Sequence, residues 1–301
     1  MNKNFILIVL ILLVVFAIGA VIPSCSPKGP KFNATSLILN FVENAPPAEI
    51  NYGVGFPIYV EVRNSGGYDV PAGAGIFYLS GIGQNLIGVQ TKLSNLNMLA
   101  KKTEMQQGGS EILSFATNAQ VAQQLPNAFN ITMKLTSCYN YATIMQTNIC
   151  VGRGGGVCSI SGNKIETGSN TVGPIQVTEL TEQIQGNKLY LSFKVNNRGA
   201  GEVYLTDSDC DKLEQGDVNE QLKKGKADIA IRVEQGFLCN LQSSQAPYSS
   251  VKALEGVVMI GYTIVCEKIL TGTESHLAPV EIVLSYKYRE STTKGLTILP
   301  P

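Results

Sequence analysis

From Ile58 onward the chain alternates apolar and polar positions: Ile58, Val60 and Val62 interleave with Tyr59, Glu61 and Arg63. That period of two is the signature of a half-buried β-strand. GIFYLSGIG, EILSF and NITMKLTSCYNY continue the pattern in the first half, with a further strand near Thr147 to Val151. IQVTELTEQ, KLYLSFKV, EVYLTD, ADIAIRVEQ, VVMIGYTIVC, VEIVLSYKY and GLTIL repeat it in the second. Glycine, proline and asparagine separate these runs, and the folded part reads as all-β. The polar segments 91–106 and 208–224 interrupt it, each with room for a helical turn.

Two stretches of the chain resemble one another in order and spacing. Tyr139-x-Tyr141 is followed after seven residues by Ile149-x-Val151, and Tyr286-x-Tyr288 after seven by Leu296-x-Ile298. Upstream, PIYVEVRNSGG (57–67) matches LYLSFKVNNRGAG (189–201), each strand running into an Asn-x-Gly turn. Repeated order predicts two units of one ancestry. The expected division is a signal or anchor over 1–25, a spacer over 26–35, a β-sandwich over 36–151, a Gly-rich linker over 152–172 and a second sandwich over 173–299. Seven short strands with turns between them fit an immunoglobulin-like antiparallel sandwich in each unit.

The N-terminus carries a different pattern. Lys3 precedes an uncharged, mostly apolar run from Phe5 to Ile22, long enough for an export signal or an uncleaved anchor helix. Cys25, after Ile22-Pro23-Ser24, is a lipidation candidate, although Pro23 departs from the lipobox pattern. Cleavage and release is the third fate. All three place the rest of the chain outside the cytoplasm, and the first two hold it on the extracytoplasmic face of the cell membrane.

There are seven cysteines. Setting Cys25 apart leaves Cys138, Cys150, Cys158, Cys210, Cys239 and Cys266, an even set suited to three disulfides in an oxidising compartment. None has C-x2-C metal spacing. If the chain folds back near residue 144, Cys138 and Cys150 come opposite each other. Cys150 with Cys158 is the competing local pair, and Cys239 with Cys266 the next candidate.

Lys plus Arg and Asp plus Glu both number 23, so no basic footprint points to nucleic acid. No hydrolase elbow, zinc-protease or phosphate-loop motif occurs, and His276, the single histidine, lies in a polar stretch. No cofactor and no enzyme activity are expected. Asp207, Asp209 and Asp211, with Glu214 and Asp217 nearby, form an acidic loop that could wrap calcium, but Lys212 and Val218 break the EF-hand template. A solvated loop is the favoured alternative. Asn33 and Asn130 head glycosylation acceptor patterns. The paired tyrosines fit either a core with bonded hydroxyls or an aromatic platform for a glycan; their recurrence favours the core.

The V-x-V-x-N-x-G strand ends, the Gly-Gly-Ser-led strand at 108–115 and the Tyr-x-Tyr strands resemble CARDB-type adhesion modules of prokaryotic surface proteins. That resemblance, over most of 36–151 and 173–299, implies an immunoglobulin-like fold and a non-catalytic role in adhesion or display. The expected function is a membrane-tethered envelope module that meets a surface protein or glycan. A subunit of a surface assembly, S-layer-associated or filamentous, and an accessory carbohydrate-binding protein are the alternatives.

Overall fold

The computed structural model describes residues 34–82, 87–121, 123–124, 126–153, 157–241, 254–272 and 274–301. The apolar segment from Phe5 to Ile22, the 26–33 part of the spacer, Cys25 and Asn33 lie outside them. In chain order the first half contributes β1 (Leu37–Phe41), β2 (Glu49–Asn51), β3 (Phe56–Asn64), β4 (Ile76–Ser80), β5 (Lys92–Ser94), β6 (Ser110–Ala119) and β7 (Phe129–Val151). The second contributes β8 (Ile175–Gln185), β9 (Lys188–Asn197), β10 (Glu202–Tyr204), helices α1 (Cys210–Gln215) and α2 (Val218–Gln221), β11 (Lys226–Arg232), β12 (Phe237–Cys239), β13 (Leu254–Met259), β14 (Thr263–Ile269) and β15 (His276–Leu299). The expected all-β class holds, with sheets that are antiparallel except where β2 joins β15. The 208–224 interruption supplies the two helices; 91–106 holds β5 and loops.

β7 and β15 dominate the arrangement, at 23 and 24 residues, against a usual strand of about 5 or 6. They pair with each other along almost their whole length. Asn140 lies opposite Lys287, its own counterpart in the repeat, so Tyr139 faces Tyr288 and Tyr141 faces Tyr286. When equivalent residues face each other across an antiparallel pair, the two strands are related by a local two-fold axis. The central sheet obeys it: its order β13-β11-β15-β7-β4-β5 reads as the same three strands outward from the middle in either direction. Each half adds its own outer sheet, β1-β3-β6 in the first and β8-β9-β14-β12 in the second.

Each long strand begins in its own half and ends in the other. β7 pairs with β4 over Lys134–Cys138, and further along Ile144 O accepts from Thr171 N–H and Gln146 N–H donates to Ser169 O. β15 pairs with β11 over Glu281–Ser285 and ends beside β2 of the first half. Residues 32–301 therefore gather into one unit, with a main hydrophobic cluster running from Leu37 through Tyr139 and Tyr286 to Ile298. The segments expected as separate sandwiches meet as halves of one core. The described part of the expected linker is likewise bonded in place: Lys164 N–H donates to Leu180 O, and Thr171 N–H to Ile144 O.

One expected feature is corrected outright. No hairpin forms at residue 144, so Cys138 and Cys150 lie at separated points of one extended strand, roughly 40 Å apart at the usual rise per residue. The bonds are Cys138–Cys210, Cys150–Cys158 and Cys239–Cys266. The last joins residues directly opposite on β12 and β14.

Candidate functional site

The four repeat tyrosines are core. Tyr139, Tyr141, Tyr286 and Tyr288 are at most 1% exposed, and neighbouring rings pack at centroid distances of 6.0 to 6.3 Å, mostly edge to face. None can serve as a glycan platform. Their hydroxyls perform the same two tasks in each half. Tyr139 accepts from Leu37 N–H at the start of β1, and Tyr286 from Ile175 N–H at the start of β8, both at 3.4 Å. Tyr141 accepts from Tyr68 N–H and Tyr288 from Gly201 N–H, which fixes the Asn turns.

Those turns are built alike. Asn64 Oδ1 accepts from Gly66 N–H and Asn197 Oδ1 from Gly199 N–H, each at 3.0 Å. Asn64 Nδ2 donates to Tyr68 O and Asn197 Nδ2 to Gly201 O. A side-chain amide that bonds backbone on both sides of the reversal explains why asparagine ends both strands.

The acidic cluster is spent on structure. Asp209 caps α1 by accepting from the N–H of Asp211 and Lys212, and Asp217 caps α2 in the same way. Asp211 pairs with Lys92 at 2.6 Å and accepts from Tyr78 Oη at 2.8 Å. Asp207 and Glu220 share Lys223, and Glu214 binds Arg289. Lys92 and Tyr78 come from the first half, so together with Cys138–Cys210 these contacts pin the second half's helices onto the first half's strands. Among the described residues no group of three or more His, Cys, Asp or Glu side chains could hold a metal ion, and the calcium loop over Asp207, Asp209 and Asp211 is replaced by this clasp. His276 is the first residue of β15 and bonds Glu234 at 2.8 Å. Asn130 is exposed at the start of β7, where Thr297 Oγ1 donates to its side chain.

The halves differ most at the loops beyond β3. In the first half three segments are laced into one platform. Asn64 Nδ2 donates to Leu99 O, Lys102 N–H to Gly66 O, Gly109 N–H to Ala100 O and Lys101 N–H to the Asp69 carboxylate. The Glu111 carboxylate accepts from the N–H of Leu96 and Asn97. This framework holds large apolar side chains in solvent: Met105 is 95% exposed and Leu96 79%. Beside Met105 runs a groove of about 360 Å³ lined by Arg63, Ser65 and the stretch Lys102–Gly108. It offers two cations, the Glu104 carboxylate, two hydroxyls and the amides of Gln106 and Gln107 around one methionine, a lining suited to a polar ligand with an apolar face. The sequence signal for this site is the Gly108-Gly109 pair. A Cβ on Gly108 would stand 1.7 Å from Asn64 O, so only glycine lets the two backbones approach. Gly108→Ala should therefore displace the loop at a cost of roughly 1–3 kcal/mol. Urea unfolding compared with Gly88→Ala, where a Cβ meets nothing within 4 Å, checks this: equal stability of the two variants would refute the close approach.

A disulfide-braced, all-β unit of this kind belongs to an oxidising, exported environment. No helix among the described residues is long and apolar enough to cross a membrane. No protein-family model and no curated protein sequence matches the chain. Among solved structures, the secreted serine protease VesC from Vibrio cholerae aligns with 86% of this chain at 9% identity and a TM-score of 0.21, a likeness too weak to inform fold or activity. The chain spans about half of that protein, 51% of its length.

Proposed function

We propose that the chain is an exported, non-catalytic binding module of the cell envelope, tethered through Phe5 to Ile22 or through Cys25, with two immunoglobulin-like halves fused into one rigid body. The platform of the first half is its recognition surface. One observation carries this reading: Met105, 95% exposed, stands on a loop that backbone hydrogen bonds hold in place. A single exposed apolar side chain is common on protein surfaces, but one carried on a pre-ordered loop is a ready contact, because the loop's order lowers the entropy cost of docking a partner on it. A surface protein or an envelope glycan fits the mixed lining.

The test is binding of the full chain in detergent to immobilised envelope glycans and to a surface-peptide library. Saturable binding that weakens roughly tenfold or more in Met105→Asp and Lys102→Glu, and not in Tyr262→Ala, supports the platform. Binding unaffected by either loop change overturns it. Concentration-dependent self-assembly in the absence of ligand would transfer the reading to a subunit of a surface assembly.

A further inference from the structure

The local two-fold axis makes each half a control for the other, and at one place in the core the chemistry differs. In the second half, Tyr286 Oη bonds Thr143 Oγ1 at 2.8 Å, and the residue before Ile175 is Pro174. In the first half the counterparts of Thr143 and Pro174 are Glu290 and Ser36. Tyr139 Oη lies 2.6 Å from Glu290 Oε1 and 2.7 Å from Ser36 Oγ. A neutral contact in one half is thus an acid, phenol and hydroxyl chain in the other, joining the middle of β15 to the root of β1.

We propose that Glu290 is an acid-operated latch that holds the start of β1, and with it the point where the chain enters the folded unit, against the tyrosine core. Protonated Glu290 donates to Tyr139 Oη, whose O–H donates to Ser36 Oγ while Leu37 N–H donates to the same phenol oxygen. Loss of the proton to solvent leaves Tyr139 and Ser36 both donating to the carboxylate. The ionised form then sits in a part-buried place with no cation among the described groups acting on it. The groups around it are the phenols of Tyr139 and Tyr141 from β7, Tyr288 from β15, Ser36 at the root of β1, and Gly201, where an added Cβ would stand 2.9 Å from Glu290 Cβ. The neighbouring Arg289 is engaged by Glu214.

Burial pushes the Glu290 carboxyl up from 4.5 to about 7, with the hydrogen bonds from Tyr139 and Ser36 opposing that rise. The folded state therefore binds this proton more tightly than the unfolded chain. Its contribution to stability is fully present below about 4.5 and is lost as pH rises through about 7. Ser36 lies in the short lead-in to β1, outside the strand ladder, so ionisation is relieved by loosening that root.

Hydrogen exchange of the full chain at pH 5.5 and pH 8, expressed as protection factors so that base catalysis divides out, tests the latch. The Leu37 amide should lose roughly tenfold or more of its protection at the higher pH. The Ile175 amide, its counterpart on Tyr286, should not. Glu290→Gln should hold Leu37 protection constant across the same range, with a thermal melt to confirm that the variant is folded. Glu290→Thr, which copies the second half, gives an independent variant with the same expectation. Parallel loss at Leu37 and Ile175, or a loss that persists in both variants, overturns the proposal.

Discussion

Tyr286→Ala should lower the unfolding free energy by roughly 3–5 kcal/mol, as expected for deleting a fully buried aromatic ring. Tyr286 is 0% exposed, packs against both Tyr141 and Tyr288, and stands beside the two-fold axis where neither half can close without it. Tyr286→Phe keeps the ring and should cost roughly 1–2 kcal/mol, because Thr143 Oγ1 and Ile175 N–H lose the phenol oxygen. Urea unfolding followed by circular dichroism measures both. It also asks whether the halves unfold together: a core that is shared through β7 and β15 predicts one transition for the folded unit, shifted as a whole by the mutation. Two separable transitions, with only one displaced, would mean that the halves are independent. An effect no larger than that of Tyr262→Ala, at a position 61% exposed, would remove the ring from the core altogether.

The second large effect concerns Cys138–Cys210. It spans 72 residues, against 27 for Cys239–Cys266 and 8 for Cys150–Cys158. If a disulfide stabilises by restricting the unfolded chain, removing these bonds as paired alanine variants should cost about 4, 3.5 and 2.5 kcal/mol in that order. Each kcal/mol is worth roughly 2–4 °C in a unit of this size, so loss of the longest bond should lower the melting temperature by about 10 °C. The same variant tests the clasp. With Cys138 and Cys210 gone, α1 is held on the first half by Asp211 with Lys92 and Tyr78, an exposed ion pair worth little by itself, and by Leu213 in a small cluster with Tyr78. Hydrogen exchange should accordingly rise in 208–221 before it rises in β7. Equal losses for all three bonds, or helices that stay as protected as in the parent, would contradict the ranking and the clasp respectively.

The strand pattern was legible because period-two alternation is local. The Asn turns were legible because Asn64 and Asn197 must reverse the chain whatever lies around them. The fate of the tyrosine doublets also followed from their recurrence. The hairpin at residue 144 was misplaced even though the sequence holds a signal against it. Ile131, Met133, Leu135, Tyr139, Tyr141, Met145, Ile149 and Val151 keep one phase, and no Gly, Pro or Asn-Gly step interrupts them between Tyr141 and Ile149. One phase likewise runs from Ala278 through Tyr288 and on to Leu296 and Ile298, although Pro279 and Gly295 fall within it. Two strands were expected in each place because a single strand of that length is unusual.

What lay beyond the sequence is every choice of partner across long distance. Cys210 gave no sign that its mate was Cys138, in the other half, because bridging depends on where α1 lands and not on spacing. The acidic residues Asp207, Asp209 and Asp211 looked available for a cation; in the fold Lys92 and Tyr78 arrive from the first half to occupy Asp211, Lys223 of the same segment pairs with Asp207, and Asp209 caps α1. Glu290 read as one more polar residue on a strand; only the pairing of β15 with β7 put it against Tyr139 and Ser36. By itself the sequence determined the β-class, the repeat and the turns, since these rest on backbone sterics and on which side chains avoid water within a few residues. The tertiary structure decided that the two repeats complete each other's sheets, because an antiparallel strand edge can be satisfied by any strand of matching phase, and packing of the whole core selects which one.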